Sequence, residues 1–289
     1  MKRIFLLTAL AALLTTACTS KKVAPERQGW DNKVQGPLYG DVEYITTSSY
    51  KLTQKFGEEV KDVMLSKGIY KFDAKGNALV YSEYNRNDSL QSRTLFKYNT
   101  QAKMTEQYIY DNKESLIYQD FFKYDSQGNM VERVEYDGDG RHVGKTAHKY
   151  DLQNNVIEFF SYNFNGFMDY KIAYKYDSKG NVIEEVHENI VRGYYSSLSR
   201  KVFYKYDSQD NMIEKSEFES DGSLDCKSLY KYDSQGNQIE KAWYESDGSL
   251  RSTTRYKYDS YGNWIESSEY EGEAYKPIQI NERKIVYRK

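Results

Sequence analysis

The sequence predicts an all-β fold, a repetitive antiparallel β-meander of about eight 26-residue two-strand units that forms an elongated single-layer or spiralling sheet. Three observations predict it: an aromatic residue recurs in register, every repeat carries two turn signals, and all three prolines lie outside the repeats. Because a central strand needs its backbone N–H groups for its neighbours, this placement of proline favours strands. The aligned aromatic residues, 26 residues apart except for one spacing of 30, are Phe72, Tyr98, Tyr124, Tyr150, Tyr176, Tyr206, Tyr232 and Tyr258.

Two turn signals divide each repeat. The first is Asp-Ser-Gln-Gly-Asn, as at residues 125–129, where the aspartate can bond the backbone ahead of it and glycine accepts a positive φ. Asn154 and Asp210 replace that glycine in two repeats, and both residue types tolerate the left-handed conformation. The second signal is Asn-Gly or Asp-Gly, as at Asp139-Gly140, which is typical of hairpins. Two turns per repeat leave two strands of roughly 7–9 residues.

A charged pair suggests the strand register. A lysine precedes the aligned aromatic residue, and a glutamate follows that lysine by nine residues in seven of the eight repeats. A four-residue loop would place Lys205 opposite Glu214 and Tyr206 opposite Ile213, and a one-residue slip would invert both faces. Both faces then carry aromatic and charged side chains together, which disfavours a sandwich with one apolar face and favours an open sheet. The predicted pairs are Lys97/Glu106, Lys123/Glu132, Lys149/Glu158, Lys175/Glu184, Lys205/Glu214, Lys231/Glu240 and Lys257/Glu266.

The first 17 residues are predicted to be a signal peptide. Lys2 and Arg3 precede an apolar run at residues 4–14, which is too short to span a bilayer and has the length of a signal-peptide core. Leu14-Thr15-Thr16-Ala17-Cys18 resembles the lipobox of bacterial lipoproteins. The resemblance implies cleavage before Cys18 and lipidation of Cys18, whose several acyl chains would hold the chain stably on a membrane. The alternative is an ordinary secretory signal followed by a chance cysteine.

Four segments follow the signal peptide. Residues 18–37 are predicted to be the lipidated cysteine and a flexible tether, and residues 38–69 a set of N-terminal capping strands. Residues 70–274 form the repeat array, and residues 275–289 contain a closing strand. By analogy with bacterial lipoproteins, the absence of aspartate after Cys18 favours the outer membrane, so the predicted location is the cell envelope.

The repeat consensus, intact at residues 230–240, is aromatic-Lys-Tyr-Asp-x-x-Gly-Asn-x-Ile-Glu. It resembles the YD repeats of the RHS family and short bacterial lipoproteins built from such repeats, over residues 70–270. The resemblance implies a repeat β-sheet in the cell envelope, and YD repeats have been associated with carbohydrate binding and cell-surface contact. In large RHS proteins the repeats form a shell around a toxin. Eight units are too few for that shell, so we do not expect this function here.

Composition and motifs argue against several function classes. The chain has 41 basic and 43 acidic residues, so it lacks the basic excess that binds nucleic acid. Three histidines and two cysteines disfavour a zinc finger, a disulfide scaffold and a multi-histidine metal site. No nucleophile elbow, zinc-protease motif or phosphate loop is present, and we therefore expect no enzyme activity, cofactor or metal. Asp137-Gly138-Asp139-Gly140 is interpreted as a turn rather than a calcium loop, and Cys226 as a buried or half-buried free thiol.

Four aromatic residues are candidates for ligand binding because the repeat does not explain them: Trp243, Trp264, and Tyr194 and Tyr195 in a four-residue insertion. Aromatic rings can stack on the apolar faces of sugars. The first reading of function is a non-catalytic, membrane-anchored lipoprotein of the cell envelope that acts as a surface interaction or spacer module. The alternative is a carbohydrate-binding module for glycan capture. The partners expected are the membrane, through the lipid anchor, and a glycan or protein ligand.

Overall fold

The computed structural model describes residues 38–191 and 194–289, without the side chains of residues 191–199. The predicted signal peptide, Cys18 and tether lie outside the described residues. Within the described part, the chain consists of strands joined by turns. The strands are β1 (Val42–Lys55), β2 (Glu58–Phe72), β3 (Ala78–Asn85), β4 (Leu90–Tyr98), β5 (Met104–Asp111), β6 (Leu116–Tyr124), β7 (Met130–Asp137), β8 (His142–Tyr150), β9 (Val156–Asn163), β10 (Met168–Tyr176), β11 (Val182–Val191), β12 (Tyr194–Tyr206), β13 (Met212–Phe218), β14 (Leu224–Tyr232), β15 (Gln238–Glu245), β16 (Leu250–Tyr258), β17 (Trp264–Glu271) and β18 (Lys276–Tyr287).

The sheet is closed. Every strand pairs antiparallel with its neighbours in sequence, and β1 pairs with both β2 and β18, as in Ile45↔Tyr70 and Ile45↔Ile285. The all-β antiparallel prediction is therefore confirmed, whereas the predicted elongated or spiralling open sheet is wrong. Strand twist of roughly 20–25° per neighbour curls a long meander, and closure pairs two edges that would otherwise expose rows of unpaired N–H and C=O groups. The result is an 18-stranded barrel.

The predicted lysine–glutamate register is confirmed. All seven pairs face each other across the first turn, with Nζ–Oε distances of 2.6–2.9 Å. One detail of the prediction is wrong, because Tyr206 lies opposite Met212 rather than Ile213. The register shifts between Lys205 and Tyr206, and an extra residue in β13 forms a bulge there.

The turns follow the sequence signals. In the turn at residues 125–129, the Asp125 N–H donates to the Asn129 carbonyl, and Asp125 Oδ1 accepts from two backbone N–H groups at 2.9 Å. Asn154 and Asp210 adopt φ of +65° and +61°, which confirms that they replace glycine in the left-handed conformation. Turns of this type lie along one rim of the barrel, here called the YD rim, and the second turns lie along the opposite rim.

The two faces of the sheet differ in exposure. The ladder face carries the seven lysine–glutamate pairs, whose lysine side chains are 60–71% exposed. The tyrosine face carries the aligned aromatic residues, which alternate with those lysines along the strand. The Tyr124 hydroxyl donates to the Met104 carbonyl at 2.7 Å, and six further aligned tyrosines make the same kind of bond. Burial raises the pKa of Tyr232 on this face to about 12.

Closure has its own apolar core. We call β18, β1 and the adjoining half of β2, with the flanking residues 38–41 and 288, the seam. At the seam, Leu38, Val42 and Ile45 are fully buried and pack with Phe72 and Ala78. Such a cluster of buried aliphatic side chains has no counterpart in the repeat consensus, which supplies tyrosine, lysine and glutamate.

Candidate binding cleft

The two tryptophans that the sequence suggested for ligand binding do not form a shared groove. Trp264 begins β17 beside the YD rim, whereas Trp243 lies five residues into β15, roughly 16 Å along the strand direction. An arginine also covers one face of each indole: the Arg251 guanidinium lies 4.4 Å from the Trp243 ring centroid, and that of Arg283 lies 3.4 Å from Trp264. Burial lowers the pKa of Arg283 to about 9. Packing against arginine therefore accounts for both side chains.

Tyr194 and Tyr195 belong to an extended hairpin. Their backbone lies in β12 and pairs with Val191 and Ile190, so the insertion lengthens two strands. A register shift between Glu188 and Ile190 marks a bulge in this hairpin. The side chains of both tyrosines lie outside the described residues.

A cleft of about 850 Å³ runs along the ladder face over β14–β18, beneath the hairpin formed by β1 and β2. Its volume lies in the range of small-molecule sites. Leu52, Tyr270 and Ile280 are buried along it, with 3%, 8% and 8% of their surface exposed. Ile239 adds an exposed apolar wall. The cleft thus has an apolar lining on a face that is otherwise dominated by charge.

Equal numbers of positively and negatively charged side chains surround this apolar lining. Four cationic residues (Lys61, Lys231, Arg255 and Lys257) and four acidic residues (Glu59, Glu240, Glu266 and Glu282) line the cleft. Most are already paired: Glu240 accepts from Lys231 at 2.7 Å and from Arg255 at 3.2 Å, and Lys257 pairs with Glu266 at 2.7 Å. The hydrogen bond from Lys231 is the main cause that lowers the pKa of Glu240. The net charge of the lining is zero.

Tyr270 and Tyr275 pack against each other, and an arginine lies over both rings. The Arg255 guanidinium lies 5.4 Å from the Tyr270 ring centroid and 5.1 Å from that of Tyr275, and the two rings meet edge to face. The Tyr270 hydroxyl donates to Glu59 Oε2 at 3.1 Å. Burial raises the pKa of Tyr270, and the bond to Glu59 raises it further. This tyrosine is therefore fixed between the repeat array and the β1–β2 hairpin.

Other clusters of functional groups are explained by ion pairing. Glu217, Asp225 and Cys226 bring three metal-ligand atoms within 4.8 Å of one another, but the Arg200 guanidinium contacts both carboxylates. Cys226 is a buried free thiol, as predicted, and burial raises its pKa. Residues 137–141 form a turn in which Asp137 Oδ1 accepts from the backbone N–H of Arg141 at 2.8 Å.

The sequence did not indicate the cleft. Its repeat residues are ordinary members of the ladder, and they become distinctive only where Leu52, Glu59 and Lys61 of the non-repeating hairpin lie over them. The one local signal was Arg255, which stands two residues before a ladder lysine and adds a second cation to Glu240. Among the residues described, no helix has the length and apolar character needed to cross a bilayer.

Comparisons with known proteins give loose structural similarity only. No protein-family model matches the chain, and no curated protein matches its sequence. A porin-like protein from Bacteroides uniformis ATCC 8492 is 10% identical, with 85% of this chain and 96% of that chain covered and a TM-score of 0.46. A porin-like protein from Bacteroides vulgatus ATCC 8482 is 12% identical, with 86% and 98% covered and a TM-score of 0.36.

The toxin complex TcdB2-TccC3-Cdc42 is also similar, at 10% identity and a TM-score of 0.34. The alignment covers 77% of this chain and 15% of that one, so the chain spans about 15% of the length of the toxin-complex chain. Similarity this loose carries no argument about function, and the resemblance to YD repeats stays a prediction.

Proposed function

We propose that this chain is a non-catalytic binding module of the cell envelope, anchored to the outer membrane through lipidated Cys18. The observation that carries the binding role is the cleft on the ladder face. A ladder of paired charges needs no apolar lining, yet here Leu52, Tyr270 and Ile280 provide one. A concave site with an apolar floor and converging polar groups is the usual form of a ligand site.

The geometry of the barrel supports an anchor at the chain start. Both faces of the wall carry charged side chains, including the ladder pairs on one and Glu185, His187 and Glu217 on the other. A wall that contacts lipid needs an outward apolar band on alternating residues. We therefore assign membrane attachment to the N-terminal segment and not to the barrel wall.

The YD rim would face the membrane. The Tyr39 N–H donates to Asn263 Oδ1 at 2.6 Å, so the described chain begins beside the turn that precedes β17. The predicted tether, residues 18–37, would therefore join the barrel at this rim. The opposite rim, with the tip of the β1–β2 hairpin, would point away from the membrane and expose one end of the cleft.

A neutral glycan is the ligand class that the chemistry of the cleft favours. The four cations are paired with three of the acids, and the fourth acid, Glu59, accepts from the Tyr270 hydroxyl. A charged ligand would therefore have to break an existing ion pair or hydrogen bond and leave one partner uncompensated. A hydroxyl-rich neutral ligand can accept from the ammonium groups and donate to the carboxylates without separating them. The apolar faces of its sugar rings would lie against Tyr270 and Ile280.

A glycan array with the protein lacking residues 1–17 and carrying Cys18→Ala tests the ligand class. We expect neutral oligosaccharides to bind, and Glu240→Gln to weaken that binding roughly tenfold, as for a lost hydrogen bond to a charged group. Glu132→Gln is the matched control, since Glu132, like Glu240, is bridged by two cationic side chains but lies outside the cleft. Binding to no glycan would exclude the glycan reading, and equal glycan binding by both variants would exclude the cleft as the site.

The anchor is tested separately in cells. Metabolic labelling with a fatty acid should mark the wild-type chain and leave Cys18→Ala unlabelled, because the thiol is the predicted acylation site. Fractionation should move the variant from the membrane to the soluble envelope fraction. Labelling that persists in Cys18→Ala would contradict the lipoprotein assignment.

A further inference from the structure

The outer part of the β1–β2 hairpin extends beyond the barrel wall. Pairing of β1 with β18 ends at Lys51↔Gln279, and pairing of β2 with β3 begins at Ser66↔Asn85. Among the described residues, the backbone at 52–65 therefore pairs only within its own hairpin. It consists of four residues of β1 (52–55), the turn at 56–57 and eight residues of β2 (58–65), so on the β1 side it reaches roughly 13 Å past the last pair with β18. A two-stranded hairpin by itself is marginally stable, so this segment depends on what its side chains contact.

Those contacts are made across the cleft. Leu52, Glu59 and Lys61 of the hairpin line it, and two polar bonds connect the hairpin to the opposite side. The Tyr270 hydroxyl donates to Glu59 at 3.1 Å, although β18 and β1 lie between their strands. Lys61 Nζ lies 2.9 Å from Glu282 on β18. The hairpin is thus bent over the ladder face and covers part of the cleft.

Both bonds are easily broken. The Lys61 and Glu282 side chains are 48% and 36% exposed, and ion pairs between exposed side chains contribute little to stability. A hydrogen bond from a tyrosine hydroxyl is also a modest contribution. Most residues of the repeat strands, by contrast, are bonded along both edges, so the hairpin is a part of the described barrel that can move at lower energetic cost than they can.

Two bulges mark where the β1–β2 hairpin would bend. The register of β1 with β2 shifts between Ser49 and Tyr50 and again between Tyr50 and Leu52. Bulges interrupt the ladder of backbone bonds and bend the strand that contains them. Their position coincides with Lys51, the last residue of β1 that pairs with β18. The hairpin therefore loses its outer partner and its regular register at the same point.

We propose that residues 52–65 form a flap that opens and closes the cleft by bending at these bulges. This inference rests on the proposed role of the cleft as a binding site. In the closed state, the bonds Tyr270–Glu59 and Lys61–Glu282 hold the flap, and the apolar lining at Leu52 and Ile280 is covered. Opening breaks both bonds and admits a ligand, and closing excludes water from the bound ligand.

Reactivity of a cysteine placed on the cleft lining tests the flap without any ligand. Ser268 lines the cleft and is 7% exposed, so Ser268→Cys provides a single reporter thiol in the protein that lacks residues 1–17 and carries Cys18→Ala and Cys226→Ser. Adding Tyr270→Phe and Lys61→Met removes both bonds, and we expect the reporter to react with a maleimide roughly threefold to tenfold faster. The matched control adds Tyr244→Phe and Lys227→Met, a tyrosine–lysine pair on the ladder face outside the cleft.

Hydrogen exchange locates the motion. The amides of residues 53–60 should exchange faster by the same factor in the double variant, whereas those of β4–β9 should keep their wild-type rates. Joining Glu59→Cys to Tyr270→Cys with a bis-maleimide, in the same Cys18→Ala and Cys226→Ser background, should slow exchange at 53–60 at least tenfold. Unchanged thiol reactivity with unchanged exchange at 53–60 would overturn the flap. Faster exchange in all strands would also overturn it, since the two bonds would then hold the whole barrel and not a separate segment.

The two proposals fail in different ways. If the glycan array finds no ligand but the reporter thiol responds to loss of the two bonds, the flap stands and the ligand class is wrong. If a neutral glycan binds and Glu240→Gln weakens it while the reporter is unchanged, the cleft is a rigid site and the flap is wrong.

Discussion

The repeat hairpins and the seam both hold neighbouring strands together, but they do so with different side chains. In seven of the eight repeats, a tyrosine hydroxyl bonds to the carbonyl of the preceding unit and a lysine–glutamate pair marks the register. At the seam, Leu38, Val42 and Ile45 are buried without exposure, and the Arg288 guanidinium donates to backbone carbonyls of two strands. The repeats could add further units without limit, because each contact involves only a neighbour. The seam ends the array, and it does so with a cluster of fully buried aliphatic side chains, whereas the repeats bury aliphatic residues such as Val202 and Leu250 outside that cluster.

The first prediction removes aliphatic packing at the seam. Ile45 is fully buried between β2 and β18, so Ile45→Ala should lower the free energy of unfolding by about 2–5 kcal/mol through lost burial and the cavity left behind. Ile213→Ala, at an isoleucine that is 38% exposed in the repeats, should cost less than about 1 kcal/mol. Urea denaturation followed by circular dichroism measures both. Similar losses would mean that the seam is no more important than any repeat.

The second prediction removes Arg288, which follows β18 and forms hydrogen bonds with residues at the start of β1 and the end of β2. Arg288 donates to Asp41 Oδ1 at 2.6 Å, to the Val42 carbonyl at 3.0 Å and to the Phe72 carbonyl at 2.5 Å. Arg288→Ala should therefore destabilise by about 2–3 kcal/mol, since two buried carbonyls lose a charged donor. Arg93→Ala removes one exposed ion pair in the repeats, at 3.3 Å, and should cost at most about 0.5 kcal/mol. Parallel urea titrations compare the two variants, and equal midpoints would contradict the role of Arg288.

The third prediction uses alkaline pH to separate buried from exposed tyrosines. Burial beside the seam raises the pKa of Tyr70 to about 12. The folded state thus holds this proton more tightly than the unfolded state, so the contribution to stability is present below pH 10 and is lost as pH rises from 10 to 12. Tyr70→Phe should reduce the loss of stability over this range by about 1–3 kcal/mol. Denaturant titrations at pH 9 and pH 11.5 measure it, with Tyr118→Phe, on an exposed tyrosine, as the control. No difference between the variants would show that Tyr70 does not titrate with unfolding.

The fourth prediction compares the two recurring contacts within a repeat. Tyr124→Phe removes the hydroxyl that donates to the Met104 carbonyl at 2.7 Å, on the less exposed face, and should cost about 0.5–1.5 kcal/mol. Lys123→Met removes an ion pair to Glu132 at 2.6 Å, but the lysine side chain is 70% exposed, so the cost should stay below about 0.5 kcal/mol. High salt should leave the tyrosine effect unchanged and reduce the lysine effect. The reverse order of costs would mean that the charged ladder, rather than the tyrosine face, stabilises the repeats.

Periodicity explains which features the sequence could predict. Lys123 and Glu132 belong to a pattern repeated seven times, so the register and the turns follow from local spacing. Closure depends on the twist accumulated over every strand and on the pairing of β1 with β18, as in Ile45↔Ile285. These two strands lie far apart in the sequence. The cleft depends on closure, because Glu59 reaches Tyr270 only once β1 has joined β18. Trp243 and Trp264 stood out in the sequence because the repeat does not explain them, yet an arginine covers one face of each indole ring.

The last prediction compares the tip of the β1–β2 hairpin with the turns of the repeats. Most repeat turns place glycine, asparagine or aspartate in the left-handed conformation, as at Gly140 with φ of +79°, although Ala102 and Glu114 also adopt it. The β1–β2 tip places Phe56 there, with φ of +54°, followed by Gly57 with φ of +86°, and the Phe56 side chain is fully exposed. Positive φ at both central residues is the hairpin geometry that favours Asn-Gly. Phe56→Asn should therefore stabilise the hairpin by about 0.5–1 kcal/mol and slow amide exchange at its tip. Asn154→Phe, the converse change at a repeat turn where asparagine has a φ of +65°, is the control and should destabilise its own hairpin. If Phe56→Asn instead speeds exchange, the exposed phenylalanine packs favourably enough in solution to outweigh its backbone strain, and the two regions differ in more than closure.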